Sequence, residues 1–358
     1  NMEYLYQVEI IVSCAIAYME FYGHRIDENK IDEIRHDQLI EQLMLEGKFR
    51  KQIEYANEKE NEALANLEWA YKRVKELRKS KADKEEITKA LNNRTELANV
   101  YREILNESDK PMNMASPQQI SNLFYNELHY MEAKPGEKES IGKKVLKQYT
   151  KMKNEDGSPK YPAIVTYTEW KSVDTLLTKF FDNLPDFMYP GGYIFSSFGQ
   201  ISTATGRMSC AKPNVQQYPK SVSAIVIPRD GCVMIDADFS QIEYRTLVAM
   251  AHEDALLERF KDPDMDYHTT MASLMYGVPY ASVTPKMRGD AKSFNFGIPY
   301  GMGFGSLAIL LNGNKSKQSV EEAKEKYELY FKEQPNVRKF FGDVKAKAKF
   351  NGQTETLW

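Results

Sequence analysis

The chain has 358 residues, of which 42% are hydrophobic and 28% charged, and its formal net charge is −3 at pH 7. That length allows two or three compact units with a sizeable core, and no low-complexity tract interrupts an ordinary globular composition. The net charge excludes a uniformly basic surface, but it leaves room for a local basic patch that binds nucleic acid.

The cysteines and the early apolar run exclude several other classes of protein. Cys14, Cys210 and Cys232 are far apart in sequence, which excludes a CxxC metal site and a disulfide framework and favours a reducing compartment. The apolar run over residues 10–17 is too short to span a bilayer. Its acidic flanks and the lack of a basic n-region are not those of a signal peptide.

The N-terminal part is predicted to be helical. Residues 28–107 contain no proline and place apolar residues at helical spacing, which predicts a long antiparallel helical pair that turns near "SKADKE". The tip of this pair is basic and contains Lys72, Arg73, Lys75, Arg78, Lys79, Lys81 and Lys84. Two explanations stay open for this tip: a solvated helix end, or a contact with a phosphate backbone.

The next stretches predict a helix, a connector, strands and further helices. "ASPQQISNLFYNEL" begins a helix with Ser116 as N-cap, Pro117 at the first helical position and Gln119 closing a capping box. Residues 131–160 are typical of a mobile connector. After Pro190, alternating aromatic and small residues predict strands, and a second strand set follows in "AIVIPRDGCVMIDADFS". Helices resume from Ser240, so the fold class is α+β.

Two aspartates lie close together in the second strand set. Side chains alternate across a strand, so Asp236 and Asp238 are expected to share one face. Two buried carboxylates repel each other, and a divalent metal such as Mg²⁺ removes that conflict; the alternative is a strand end that emerges into solvent. Ser240 and Glu243 fit a capping box, which explains Glu243 without a catalytic role.

A helix with two cations on one face is predicted to begin at "VTPKMRG". Thr284 is its N-cap and Pro285 its first residue, and Arg288, Lys292 and Phe296 recur at intervals of four. Two cations one turn apart near a helix N-terminus repel each other and oppose the helix dipole. A polyphosphate ligand would explain them, with Phe296 stacking on a base; the alternative is a basic surface stripe.

Other sites are less well supported. The chain has no GxxxxGK[ST] loop, so a P-loop NTPase is not indicated. His268 begins an amphipathic helix, and a lone histidine in that position is more often structural than catalytic.

Taken together, these stretches resemble family A (DNA polymerase I-like) DNA polymerases. "ADFSQIEYR" resembles motif A (D-Y-S-Q-I-E-L-R), and "MRGDAKSFNFGIPYG" is similar to motif B (R-x-x-x-K-x-x-x-F-G-x-x-Y-G). "TATGRMSCAKPNVQQYP" and "DYHTTMASLMYGV" resemble two further family segments. Two N-terminal stretches resemble the family more weakly: "YMEFYGHRID" resembles its M-E-x-x-G-I-x-V-D at the start of the thumb, and "MASPQQISNLFYNEL" resembles its N-x-x-S-P-K-Q-L-x-x-x-L-F.

The resemblance implies a role for each matched residue. The catalytic residues would be Asp238, Lys292 and Arg288. The metal would be held by Asp238 and by the backbone carbonyl of Phe239 or of Ala237. Asp236 would be a secondary carboxylate at most. The deoxynucleotide would contact His268, Arg288, Lys292, Phe296, Tyr300, Glu243 and Gln241, and Glu243 would exclude a ribose 2′-hydroxyl. Primer-template DNA would contact Arg207, Asn214, Gln216, Lys72, Arg73, Lys75, Arg78 and Lys79.

The resemblance also implies an architecture and a reaction. We expect a polymerase right hand, with helical thumb and fingers around a small antiparallel palm sheet that is incomplete. Residues 1–185 would be thumb and connector, 186–252 the N-terminal part of the palm, and 253–358 the fingers and the start of the return to the palm. The expected activity is DNA-templated addition of deoxynucleotides to a primer 3′ end with two Mg²⁺ ions, in the cytoplasm, or the host cytoplasm for a phage protein.

The chain also departs from the family pattern. No exonuclease-like segment precedes the thumb, so no proofreading is expected. The His-Asp pair of motif C does not follow motif B, and the His36-Asp37 pair lies far ahead of motif A. One alternative is therefore a catalytically incomplete fragment that binds primer-template or nucleotide and needs a partner chain carrying motif C. A single-subunit RNA polymerase relative is a third hypothesis, against which Glu243 argues.

Overall fold

The computed structural model describes residues 2–133, 136, 138–203, 206–262, 265–298, 300–313 and 316–352. Residues 204–205, in the predicted primer-contact segment, Pro299 of motif B, and residues 353–358, at the predicted return to the palm, lie outside the described residues. The chain divides into two compact units, one of Glu3–Met234 and one from Ile235 onward.

The first unit is mainly helical. Its helices are α1 (Met2–Tyr22), α2 (Glu28–Gln52), α3 (Glu58–Ser80), α4 (Lys84–Asn106), α5 (Pro117–Asn122), α6 (Lys143–Tyr149), α7 (Pro162–Leu176) and α8 (Lys220–Ser223). Pi-helical segments, Leu123–Glu127 and Leu177–Phe181, extend α5 and α7. Ser116 caps α5 as predicted, but Gln119 accepts from the backbone N–H of Asn113 instead of closing a capping box.

The predicted antiparallel pair is present as α3 and α4, with its turn at residues 81–83. Arg73 pairs with Glu86 near the turn, and Lys59 pairs with Glu107 at the opposite end. The prediction that residues 28–107 form only this pair is wrong, because α2 is a separate helix. The chain breaks after Gln52, where Glu54 has a positive φ of 58°, and a new helix starts behind the Asn57 cap.

Two apolar clusters hold the first unit together. Phe49 of α2 packs against Phe124 and Tyr167 in the larger cluster, with ring centroids about 6 Å apart. A smaller cluster joins α2 to α3 and α4. Gly47 permits this contact, because a Cβ atom there would overlap the hydroxyl of the buried Tyr101.

A four-stranded antiparallel sheet lies in the same unit, in the order β2-β3-β1-β6. Its strands are β1 (His24–Ile26), β2 (Met188–Tyr189), β3 (Tyr193–Ile194) and β6 (Val226–Ile227). In the central strand, Arg25 is opposite Tyr193 on one side and Ile227 on the other. A separate hairpin joins β4 (Ser197–Gly199) to β5 (Ser209–Ala211). The strands predicted after Pro190 and the α+β class are confirmed.

The predicted strand that carries the two aspartates is not formed. Residues 232–239 have no strand structure, and Asp236 and Asp238 are exposed. The apolar residues beside them are exposed as well, at 81% for Ile235 and 77% for Phe239. A strand needs a hydrogen-bonded neighbour, and no described strand pairs with this segment; β6 pairs with β1 instead.

The second unit consists of helices around one apolar cluster. They are α9 (Ile242–Met250), α10 (Asp254–Arg259), α11 (Tyr267–Tyr276), α12 (Pro285–Gly297), α13 (Phe304–Asn312), α14 (Lys317–Lys332) and α15 (Pro335–Asn351). The resumption of helices after Ser240 is confirmed. Among the described residues, no helix combines the length and apolarity that crossing a membrane requires.

Candidate functional site

Helix α12 presents the predicted row of Arg288, Lys292 and Phe296. Thr284 caps the helix by accepting from the backbone N–H of Met287, and Pro285 is its first residue, as predicted. The Lys292 ammonium lies 5.9 Å from the centroid of the Phe296 ring, so the two side chains are on the same side of the helix.

Arg288 has a partner on the neighbouring helix. Its Nε lies 2.6 Å from Oδ2 of Asp266, and its Nη2 lies 3.3 Å from Oδ1. Asp266 in turn caps α11 by accepting from the backbone N–H groups of His268 and Thr269. No role was predicted for Asp266, although it begins "DYHTTMASLMYGV", one of the stretches that resemble the family. Its negative charge offsets the repulsion between the two cations of α12.

The pKa of Asp266 reflects these contacts. Partial burial raises the pKa, but hydrogen bonds from Arg288 and Thr269 outweigh that effect and lower the pKa from 3.8 to about 2. A carboxyl whose pKa is lower in the folded state stabilises the fold above its unfolded pKa, and this contribution disappears as the pH falls through the folded value.

We therefore expect the cost of Asp266→Asn to depend on pH. At pH 7 the substitution should lower the free energy of unfolding by about 1 kcal/mol, because water screens a partly exposed ion pair. The difference from the unsubstituted chain should shrink as the pH falls from about 4 to about 2, where the aspartate itself becomes neutral. Urea denaturation of both proteins across this range measures the effect; a difference that stays constant with pH would contradict the ion pair.

His268 is buried, and its surroundings favour the neutral imidazole. It is only 5% exposed, and its Nδ1 lies 3.0 Å from the side-chain nitrogen of Asn295, which is also buried. Burial lowers the pKa of His268; nearby Arg288 and Lys292 lower it further, while Asp266 opposes them. A neutral imidazole offers one N–H donor, and with Asn295 donating to Nδ1 that proton is on Nε2. Asn295 was not singled out in the sequence, although it lies within motif B.

Glu243 and Tyr300, from motifs A and B, are in contact. The Tyr300 hydroxyl donates to Oε2 of Glu243 at 3.2 Å, across 57 residues of sequence. The capping box predicted for Ser240 and Glu243 is wrong, because Gln241 adopts a left-handed conformation (φ 55°) and α9 begins only at Ile242. The capping box therefore does not explain Glu243, whose carboxylate instead accepts a hydrogen bond from Tyr300. The Gln241 side-chain oxygen is buried without a hydrogen-bond partner among the described residues.

A buried group of hydroxyls holds α9 beside α11. The hydroxyl of Tyr244 lies 2.5 Å from that of Tyr267 and 3.0 Å from that of Tyr330, and the Gln334 amide contacts both Tyr244 and Tyr267. Tyr244 follows Glu243 directly, and Tyr267 precedes His268. Two of the predicted contact residues, Glu243 and His268, are therefore adjacent in sequence to members of this network. Tyr244 replaces the leucine of the family pattern, and no role was predicted for it.

Asp238 has a different environment. It is exposed, and its carboxylate has no hydrogen bond or ion pair within the described part of the chain. No group of three or more His, Cys, Asp or Glu side chains that could hold a metal occurs among the described residues. An accessible, unpaired carboxylate still fits Mg²⁺, because that ion is usually bound by one or two carboxylates together with waters and substrate phosphates.

The residues predicted to contact DNA lie in the first unit. Arg73 pairs with Glu86 at 2.8 Å, and Arg78 is bound by Asp37 at 2.5 Å and Glu33 at 2.6 Å. Lys72, Lys75 and Lys79 are exposed cations on α3. Carboxylates thus offset the charge of both arginines, and a phosphate contact by this tip would depend mainly on its lysines, which also include the exposed Lys81 and Lys84.

The loop around β5 contains the other predicted DNA contacts. Arg207 and Gln216 are exposed, whereas Asn214 is partly buried. The side-chain oxygen of Asn214 is buried without a hydrogen-bond partner among the described residues.

The sequence is similar to a known protein family and to several curated proteins. The family model for DNA polymerase family A matches residues 81–358. Thermostable DNA polymerase I of Thermus aquaticus is 31% identical over 270 residues, which cover 74% of this chain and 31% of that protein. DNA polymerase I of Caldicellulosiruptor bescii is 31% identical over 255 residues, covering 69% and 28%. The chain therefore spans about a third of the length of these curated relatives.

A solved structure has a similar fold. It is the POL domain of Pol1 from M. smegmatis, in complex with DNA primer-template and dNTP. The TM-score is 0.64 at 23% sequence identity, and the match covers 98% of this chain and 51% of that one. At this identity the likeness shows the fold, and it confirms the expected α+β class.

Proposed function

Because the chain belongs to DNA polymerase family A, we propose that it takes part in DNA-templated addition of deoxynucleotides to a primer 3′ end. One observation carries this proposal: the second unit brings together residues of separate motifs. Glu243 bonds to Tyr300, and Arg288 is joined to the start of α11 beside His268. An isolated motif match would not require these contacts.

The chemistry of each side chain suits one part of a deoxynucleotide. Arg288 and Lys292 would bind the triphosphate and stabilise the charge of the departing pyrophosphate. The neutral His268 would add one N–H donor. Phe296 would pack on the sugar and base, and Tyr300 would lie by the templating base. Glu243 would exclude the ribose 2′-hydroxyl, which makes deoxyribose the preferred sugar.

The metal proposed for this reaction is Mg²⁺, as two ions. Asp238 and the backbone carbonyl of Phe239 would hold it, with waters and the triphosphate completing the ligands. Bound magnesium would supply stabilisation of the attacking and leaving oxygens. In the first unit, the lysines of α3 together with Arg207, Asn214 and Gln216 would bind the primer-template. We place this activity in the cytoplasm, or in the host cytoplasm if a phage encodes the chain.

Primer extension with dNTPs or rNTPs tests the proposal. The unsubstituted protein should incorporate deoxynucleotides, and Glu243→Ala should raise rNTP use relative to dNTP use by about tenfold or more, since one steric contact is lost. Glu258→Ala, an exposed glutamate on α10, is the matched control and should leave the ratio unchanged. A preference of the unsubstituted protein for rNTPs would instead support an RNA polymerase relative.

A second candidate is a fragment that needs a partner chain carrying motif C. The segment that carries the exposed Ile235 and Phe239 favours it. This segment pairs with no described strand, and alternating apolar residues are normally covered when a strand is paired. This candidate predicts salt-sensitive duplex binding without extension, and extension once the partner chain is added. Extension by the chain alone would exclude it.

A further inference from the structure

Asp266 is connected to both helices that carry predicted triphosphate contacts. It caps α11 next to His268 and pairs with Arg288 of α12. We propose that Asp266 is a positioning residue: it holds the Arg288 guanidinium in one orientation, so that its remaining donors meet the triphosphate without reordering. This inference rests on the proposed function.

The geometry of the pair supports positioning. Two nitrogens of Arg288 meet two oxygens of Asp266, at 2.6 and 3.3 Å, which fixes both the location and the plane of the guanidinium. Two of its five N–H donors are used, and three are left for a ligand. The Arg288 side chain is 45% exposed, so without the pair it would sample many rotamers in water.

The carboxylate is itself immobilised. Its Oδ1 accepts from the backbone N–H of His268 at 3.1 Å and of Thr269 at 3.4 Å, and its Oδ2 accepts from the Thr269 hydroxyl at 2.6 Å. The positive end of the α11 dipole also favours an anion at this place. Because Asp266 is fixed at the start of α11, the bond to Asp266 also fixes Arg288 relative to α11 and His268.

A purely structural role for the pair is less well supported. A second bridge already joins α11 and α12, because the Tyr276 hydroxyl donates to Asp290 at 2.8 Å. Two buried residues, Met271 and Phe294, also belong to one apolar cluster that includes both helices. A second alternative is that Asp266 competes with the triphosphate for Arg288, and it predicts the opposite effect of removing the carboxylate.

The test uses the full chain with Asp266→Ser. Serine is also a good N-cap, so the variant keeps the cap of α11 and loses only the carboxylate that holds Arg288. Asp290→Asn is the matched control, since Asp290 bridges the same two helices away from Arg288. Binding of inorganic tripolyphosphate is measured by calorimetry in about 0.5 M salt, where the loss of one charge is largely screened. Nitrogen-15 NMR follows the Nε–H of Arg288, and primer extension gives kcat/KM.

Positioning predicts that Asp266→Ser weakens tripolyphosphate binding and lowers kcat/KM for dNTP, each by about tenfold or more. The protected Nε–H signal of Arg288 should be lost, while Asp290→Asn changes each value less than about twofold. Unchanged or tighter tripolyphosphate binding by Asp266→Ser, or no binding by the unsubstituted chain, would overturn the inference. If Asp266→Ser unfolds more readily than Asp290→Asn, the same comparison is made with Asp266→Asn.

The two proposals can fail separately. In one outcome, the protein binds tripolyphosphate in a way that depends on Asp266 and yet extends no primer, with or without a partner chain. That result would refute the polymerase function and support the positioning role. Primer extension that is equally efficient in Asp266→Ser would refute the positioning role and leave the polymerase function standing.

Discussion

Replacing Asp238 with alanine is expected to lower the rate of primer extension by about a thousandfold or more, because metal ions contribute several kcal/mol to stabilising such a transition state. The carboxylate is exposed and unpaired within the described part of the chain, so its removal should cost little folding stability. The rate of single-nucleotide incorporation at saturating dNTP measures the effect, and duplex binding should persist.

Asp236→Ala is the matched control for this prediction. It removes another exposed carboxylate from the same segment, two residues away, and should reduce the rate far less. If the two variants lose the same activity, the segment holds metal through both aspartates, and the assignment of Asp238 alone is wrong. If neither variant loses activity, magnesium is bound elsewhere.

Replacing Glu60 with alanine is expected to lower the free energy of unfolding by about 3–5 kcal/mol, because the substitution leaves a buried arginine without its counter-charge. Arg50 and Glu60 are 2% and 1% exposed, and they are joined by two hydrogen bonds of 2.9 and 3.1 Å. Ser108 bonds to both side chains, and the carbonyl of Lys110 accepts from Arg50. The network ties α2 and α3 to the segment after α4.

Urea denaturation, followed by circular dichroism, measures this loss. The adjacent Lys59→Ala is the matched control, because its pair with Glu107 is exposed at both ends and should contribute only about 0–1 kcal/mol. Replacing both partners, as Arg50→Met with Glu60→Leu, should restore much of the stability, since no buried charge is left unpaired. Equal losses for Glu60→Ala and Lys59→Ala would show that the buried pair does not stabilise the fold.

The sequence by itself determined the features that depend on near neighbours in the chain. Thr284 and Pro285 start α12 because a cap bonds to a backbone group three residues ahead. The four-residue interval places Lys292 beside Phe296 as soon as a helix forms. The motifs around Asp238 and Arg288 were sufficient to indicate the family, because they consist of residue types at fixed local spacing.

Only the tertiary structure decided which partners distant residues have. Asp266 pairs with Arg288 across 22 residues of sequence, so this cation is part of an ion pair. Tyr300 bonds to Glu243 across 57 residues, and this contact takes the place of the predicted capping box. The left-handed conformation of Gln241 removed a capping box that the sequence pattern predicted. Residues 235–239 alternate as a strand does, yet they form none in the described chain, because a strand requires a paired neighbour. Helix caps and helix faces arise within a few residues, whereas ion pairs, buried hydroxyl networks and strand pairing depend on where the fold brings separate segments.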